Sequence, residues 1–278
     1  LPSKRFLVAL NYLHKVCPTP ERKRDWLRRY HDQGFHIMLD SGCFSLSFER
    51  ARQQGLDAAD VFMMSPTSEV WGNAFEEHLE LYCASLELCK DFLTVYVEVD
   101  IGSIAERAVT RQRCIDRGLN PMPVFRLLRD PLDELPAMLR DNETLCIAGT
   151  AFCPMKHRIR GWHEVWLQWK EHNPNCKLHV LGVTPCSPFN SYGFKSSDSS
   201  TFTAACRYGQ GHGYNYVSAD SRVPWLPAIP MGDLEGVPKK VQSVINTTAF
   251  SHSVFATAKH VLSDEKRAAF PPPRSSRA

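Results

Sequence analysis

The chain has 278 residues, 43% hydrophobic and 23% charged, enough to bury a substantial core. That excludes a disordered or collagen-like polymer and suggests one large or two ordinary domains. The net charge of +3 neither demands nor forbids a nucleic-acid partner, and no apolar run reaches the roughly 18 residues that a membrane span needs, so no membrane association is expected.

The chain opens on Leu1-Pro2-Ser3 rather than Met, which reads as a trimmed start with no signal peptide. Its ten cysteines contain no C-x-x-C pair, and Cys83, Cys89 and Cys146 sit inside apolar runs where a thiol packs as a small hydrophobe. A reducing, cytoplasmic compartment is expected rather than a disulfide framework.

In chain order the patterning predicts a strand at Phe6–Tyr12, a helix at Pro20–Gln33 and a strand at His36–Gly42. A helix at Ala74–Lys90, a strand at Thr94–Asp100, a helix at Ser103–Arg117 and a strand at Pro121–Arg126 follow. Next come a helix at Pro131–Arg140, a strand at Thr144–Thr150, a helix at Gly161–His172, and strands at Lys177–Val183 and Phe194–Ser199, with a weaker one at Tyr214–Ala219. The strands are near-continuous apolar runs, as expected when both faces are covered. Eight strands alternating with helices predict an α/β chain forming a single (β/α)8 TIM-type barrel over residues 1–262, with a doubly wound open sheet as the alternative. A C-terminal helical extension is expected at Lys239–Leu262, and a disordered tail at 263–278.

In such a barrel the chemistry lies at the C-terminal ends of the strands. Asp40 and Ser41 close the second strand, Glu98 and Asp100 the third, Arg126 the fourth, Gly149 and Thr150 the fifth, and Asp198 the seventh. A lone acid there more often caps the next helix than serves as a catalyst. Several on one rim spread their pKa values, so that one trades protons while another stays ionised, the pairing used in glycosyl transfer. Glu98 is either a partner of Asp100 or a layer residue of the barrel. Lys156, Arg158 and Arg160 follow the fifth strand and are the candidate phosphate contacts, with Arg22–Arg29 as the other basic stretch. Trp162, Trp166 and Trp169, at helical spacing behind them, read as core. The histidines lack metal-ligand spacing, so neither a metal nor another cofactor is expected.

The run Leu39-Asp40-Ser41-Gly42-Cys43-Phe44 resembles the D-S-G-[GA]-F segment of the tRNA-guanine transglycosylase superfamily. Leu178–Thr184, followed by Tyr192–Phe202 with Ser197-Asp198-Ser199 inside it, resembles the H-x-x-G-x-T…S-x-D-S pattern of its DpdA-type branch, which acts on DNA in phages and bacteria. Arg117–Phe125 and Ile147-Ala148-Gly149 also fit, so the likeness spans roughly residues 36–210. It implies a base-exchange transglycosylase, a pentosyltransferase that replaces guanine by a 7-deazaguanine in DNA through a covalent Asp-glycosyl intermediate on a flipped-out base. Asp198 would be the nucleophile and Asp40 the general acid/base. Asp100, Arg126, Ser41, Gly149 and Thr150 would form the base pocket. The C-x-C-x-x-C zinc site of the tRNA enzymes is missing, which points towards DNA, and Arg126 stands where a glutamine commonly reads the base. A tRNA substrate, a non-catalytic binding subunit and an unrelated barrel hydrolase acting on a nucleoside are the alternatives. Helper proteins or a homo-oligomer are compatible with each.

Overall fold

The structure, a computed structural model, describes residues 5–148, 155–182 and 196–197. Asp198, Gly149, Thr150, the expected strand at Tyr214–Ala219, the helix at Lys239–Leu262 and the tail at 263–278 lie outside the described residues. The chain divides into two compact units, Leu1–Cys153 with Glu171–Lys177 and Pro154–Lys170 with Leu178–Ala278.

The first unit opens with β1 (Arg5–Ala9), which turns at once into α1 (Leu10–Val16). A strand to Tyr12 was expected, but the buried Leu10, Leu13 and Cys17 recur at spacings of three and four, so the second half of the apolar run is helical. Thr19 caps α2 (Pro20–His31) by accepting from the Arg22 backbone, with Pro20 supplying a preset φ at the first position. β2 (His36–Asp40) pairs with β1 in parallel, in a register that sets Asp40 opposite Ala9. Two helices that the patterning missed follow, α3 (Cys43–Gln54) and α4 (Ala58–Met63). The buried stripe of α3 is Cys43, Ser47 and Ala51, spaced by four, too small and too polar to register as apolar periodicity.

Beyond α5 (Ala74–Cys89), β3 is reduced to Val95–Tyr96, paired to Met38 and Leu39 of β2. α6 (Ile104–Ile115) begins with a reciprocal capping box between Ser103 and Glu106. β4 (Val124–Arg126), α7 (Leu135–Asp141), β5 (Thr144–Ala148), α8 (Met155–His172), β6 (Lys177–Val180) and β7 (Ser196–Ser197) complete the described elements. The core of the first unit gathers Leu10, Leu27, Ile37, Leu39, Trp71, Phe75, Tyr82 and Leu86 between its helices and sheet.

The strands pair in two parallel sheets, of order β1-β2-β3 and β4-β5-β6-β7. A lone parallel bridge, Val97 to Met122, lies between β3 and β4. Among the described residues no pairing closes these sheets into a ring, so the expected eight-stranded (β/α)8 barrel is corrected to an α/β fold with two separate sheets. The physical reason lies at Glu98. Past the bridge its carboxylate accepts the Val124 N–H at 2.9 Å, and Arg107 donates to the Val124 carbonyl at 3.2 Å. Side chains thus satisfy the β4 backbone groups that a longer β3 would have paired. The base-exchange transglycosylase reading, guanine for 7-deazaguanine in DNA with base flipping into a barrel mouth, falls with the barrel. It required a closed barrel to bring the ends of strands two and seven to one pocket, and no such barrel is formed among the described residues.

Candidate functional site

Two parallel strands of the first unit deliver the described carboxylates. Asp40 ends β2 half-buried, and the chain then turns at Gly42, whose φ of 81° suits glycine. A Cβ on Gly42 would lie 2.9 Å from Asn11 Oδ1, and the Asn11 amide donates to the Gly42 carbonyl at 3.2 Å. The D-S-G run therefore has a local reason for its glycine: it redirects the chain from β2 into α3. Ser41 is fully buried; its hydroxyl donates to Cys43 Sγ at 3.3 Å, and its carbonyl lies 2.8 Å from His78 Nε2.

Asp100 lies three residues beyond the Val97 bridge and is 6% exposed. Burial raises its carboxyl above the usual range, opposed by the Arg126 and Arg107 guanidiniums, its own backbone N–H and the Cys43 thiol. The Cys43 thiol is itself pushed well up, by burial first and then by the negative charge of Asp100 and, more weakly, of Asp40. The Cys43 thiol hydrogen-bonds the Asp100 carboxyl, which ties the start of α3, just past β2, to the segment beyond β3. Ser41 was among the residues expected at the strand end, whereas the Cys43 thiol was marked by no apolar or charge pattern.

Arg126 ends β4 fully buried, where the sequence places it, but its guanidinium is occupied by the protein. Nε and Nη2 reach Asp130 Oδ1 at 3.2 and 3.1 Å, Nη1 reaches the carbonyls of Phe62 and Asp100 at 3.3 Å each, and Nη2 also donates to the Gly102 carbonyl. It pairs with the backbone of Asp100 rather than with its carboxylate. Its plane lies over Phe62 with the cation 5.5 Å from the ring centre. Arg107 donates to Asp130 Oδ2 at 2.6 Å and to the Gly102 carbonyl at 3.0 Å. Asp130 also accepts the Arg126 backbone N–H at 2.6 Å. These bonds hold the segment Asp100–Gly102 and the end of β4 in fixed relation.

Glu98, 2% exposed, faces the same network from the other side. Arg107 Nε and Arg111 Nη1 approach its two oxygens at 3.5 and 3.7 Å. Burial outweighs those cations and raises its carboxyl to about 7. The imbalance follows from sharing, since Arg107 already spends its terminal nitrogens on Asp130 and two carbonyls. Asp130 and Arg107, which organise the network, went unmarked in the sequence because nothing local distinguishes them from surface charges.

Lys156, Arg158 and Arg160, expected after the fifth strand, belong to the first turns of α8, which starts six residues before the expected Gly161. Arg160 is exposed and pairs with Glu164 one turn on, Nε to Oε1 3.0 Å. Trp162 and Trp169 are buried, as the core reading expected. Among the described residues no group of three His, Cys, Asp or Glu side chains has the geometry to hold a metal, and no helix is long and apolar enough to cross a membrane. Compared with known proteins, the chain matches no family model, no curated sequence and no solved structure.

Proposed function

We propose that the first unit binds a small planar heterocycle rich in N–H donors, gripped at the C-terminal edge of the β1-β2-β3 sheet by Asp40 and Asp100. The observation that carries this reading is the meeting, at Cys43 just past β2, of the buried Asp100 carboxyl, which the thiol hydrogen-bonds, with the end of β2, where Asp40 is half-buried. Ligands of parallel α/β sheets bind outside the carboxyl ends of the strands. A carboxylate with two acceptor oxygens matches an amino group beside a ring N–H, as on a guanine-like edge. Asp100, held by its own N–H and by Cys43, would accept from such an edge. Asp40, more open to water, would exchange a proton with a ring nitrogen, which favours an enzyme over a passive carrier. The D-S-G likeness to the tRNA-guanine transglycosylases, carried by the sequence alone, suits base recognition of this kind without implying base exchange.

Calorimetric titration of the full chain with guanine, 7-deazaguanine, hypoxanthine and a methylated base lacking the ring N–H tests it. Guanine-like ligands should bind, loss of the amino group should weaken binding at least about tenfold, and Asp100→Asn should abolish the preference while the protein stays folded. Equal binding of all four ligands, or an Asp100→Asn protein with unchanged selectivity, refutes the reading.

A further inference from the structure

Helices α5 and α6 bring Cys83 and Cys114 together with their sulfurs 3.6 Å apart, each thiol 1% exposed. Neither belongs to the carboxylate cluster, and the two lie 31 residues apart in sequence. We propose that Cys83 and Cys114 form a redox-active dithiol that closes to an intramolecular disulfide on reaction with a hydroperoxide, tying α5 to α6.

The geometry is close to what the bond requires. A disulfide holds its sulfurs about 2.05 Å apart, so they need to approach by about 1.5 Å, within reach of small side-chain rotations and a slight slide of one helix on the other. The surroundings divide the roles. Either sulfur can donate the hydrogen bond between them; with Cys114 donating, Cys83 is held below the usual thiol range, with burial opposing and the Arg117 cation reinforcing the shift. Giving that bond raises Cys114, and burial raises it further. Other buried thiols go the opposite way from Cys83: burial pushes Cys43 well up and Cys89 to about 11. In that arrangement Cys83 reacts as thiolate, with Cys114 as the proton-bearing partner.

Access is also provided for. On the solvent side of the same two helices, Arg117 bridges Glu80 and Glu87 at 2.7 Å each, and Arg113 holds Glu76 at 2.6 Å. Exposed pairs of this kind add little stability and open locally at small cost, which admits a small peroxide.

The chemistry balances. The Cys83 thiolate attacks the terminal oxygen of the hydroperoxide and the O–O bond breaks. The departing alkoxide or hydroxide takes a proton to leave as alcohol or water, and Cys83 becomes a sulfenic acid. The Cys114 sulfur then attacks the Cys83 sulfur while its proton passes to the sulfenic oxygen. The S–O bond breaks and water leaves. Two electrons have moved from the two thiols to the peroxide, and a dithiol reductant reverses the bridge.

The test uses the full reduced chain, titrated with hydrogen peroxide, capped with iodoacetamide and mapped by peptide mass spectrometry. The expected result is a linked Cys83–Cys114 peptide that appears before any other cysteine is modified and is reversed by dithiothreitol. The bridge should raise Tm by roughly 5–10 °C through the loop it closes. Cys114→Ser should leave a dimedone-reactive sulfenic acid at Cys83, whereas Cys83→Ser should leave Cys114 unlabelled. Cys114→Ala and Cys83→Ala, with the fold checked by circular dichroism, repeat the comparison should a buried serine disturb packing. A folded protein in which both thiols resist peroxide, another cysteine that oxidises first, or equal labelling of Cys114 once Cys83 is removed would overturn the proposal.

Discussion

Replacing Glu98 by glutamine should change the pH dependence of stability more than stability at any single pH. Glutamine keeps the shape and can still accept the Val124 N–H at the position of Oε1. What it removes is a titration. The Glu98 carboxyl is raised from an ordinary 4.5 to about 7 by burial. A carboxyl raised on folding holds its proton more tightly in the native state than in the unfolded chain. The native protein therefore loses stability as pH rises through that window, and keeps the contribution below it. Across about 2.5 pH units, at about 1.4 kcal/mol each, the loss amounts to roughly 3 kcal/mol. Other groups titrate alike in both proteins, so the difference in unfolding free energy between Glu98→Gln and the parent isolates this one. Urea denaturation from about pH 4 to about pH 8 should show that difference moving in favour of the variant by roughly 3 kcal/mol. A constant difference, or one moving against the variant, would mean that Arg107 and Arg111 keep Glu98 ionised throughout, and would refute the argument that Asp130 has already claimed the Arg107 charge.

Arg126→Met fills similar volume but removes the guanidinium donors to Asp130 Oδ1 and to the carbonyls of Phe62, Asp100 and Gly102, leaving Asp130 and Gly102 to Arg107 alone among the side chains. Breaking a buried pair of this kind should cost about 3–5 kcal/mol, read as a lower urea midpoint, and an unchanged midpoint would show that the network is dispensable. Gly102→Ala meets both a φ of 85° and a Cβ 2.8 Å from Glu106 Oε2 and Pro66 Cδ. It should destabilise by about 1–3 kcal/mol and disturb the α6 capping box, seen as weaker hydrogen-exchange protection at the start of α6; full protection would count against the close approach.

Most of the local elements were legible in the sequence. Apolar runs at His36–Asp40 and Thr144–Ala148 are strands, the second buried on both faces and the first fully buried only at Ile37 and Leu39. Thr19 with Pro20 and Ser103 with Glu106 mark helix starts that the structure realises as caps. The positions of Asp40 and Arg126 at strand ends could likewise be read, because a strand's end follows from its own pattern, whereas β3 stops at Tyr96 and leaves Asp100, expected at its end, four residues beyond. α3 could not be read, since it hides its buried face behind Cys43, Ser47 and Ala51, residues that carry no strong hydrophobic signal.

What the chain alone could not decide was how far each strand would pair and with whom. Alternating elements are shared by closed barrels and open sheets, and the choice rests on long-range pairing rather than on local preference. Here it turned on side chains. Glu98 and Arg107 satisfy the Val124 backbone in place of a lengthened β3, and Asp130, four residues past Arg126, takes up both the Arg126 guanidinium, expected in a base pocket, and that of Arg107. In sequence those charges look like solvated surface. Only burial turns them into obligatory partners, because an unpaired charge or backbone group away from water costs more than any local preference supplies.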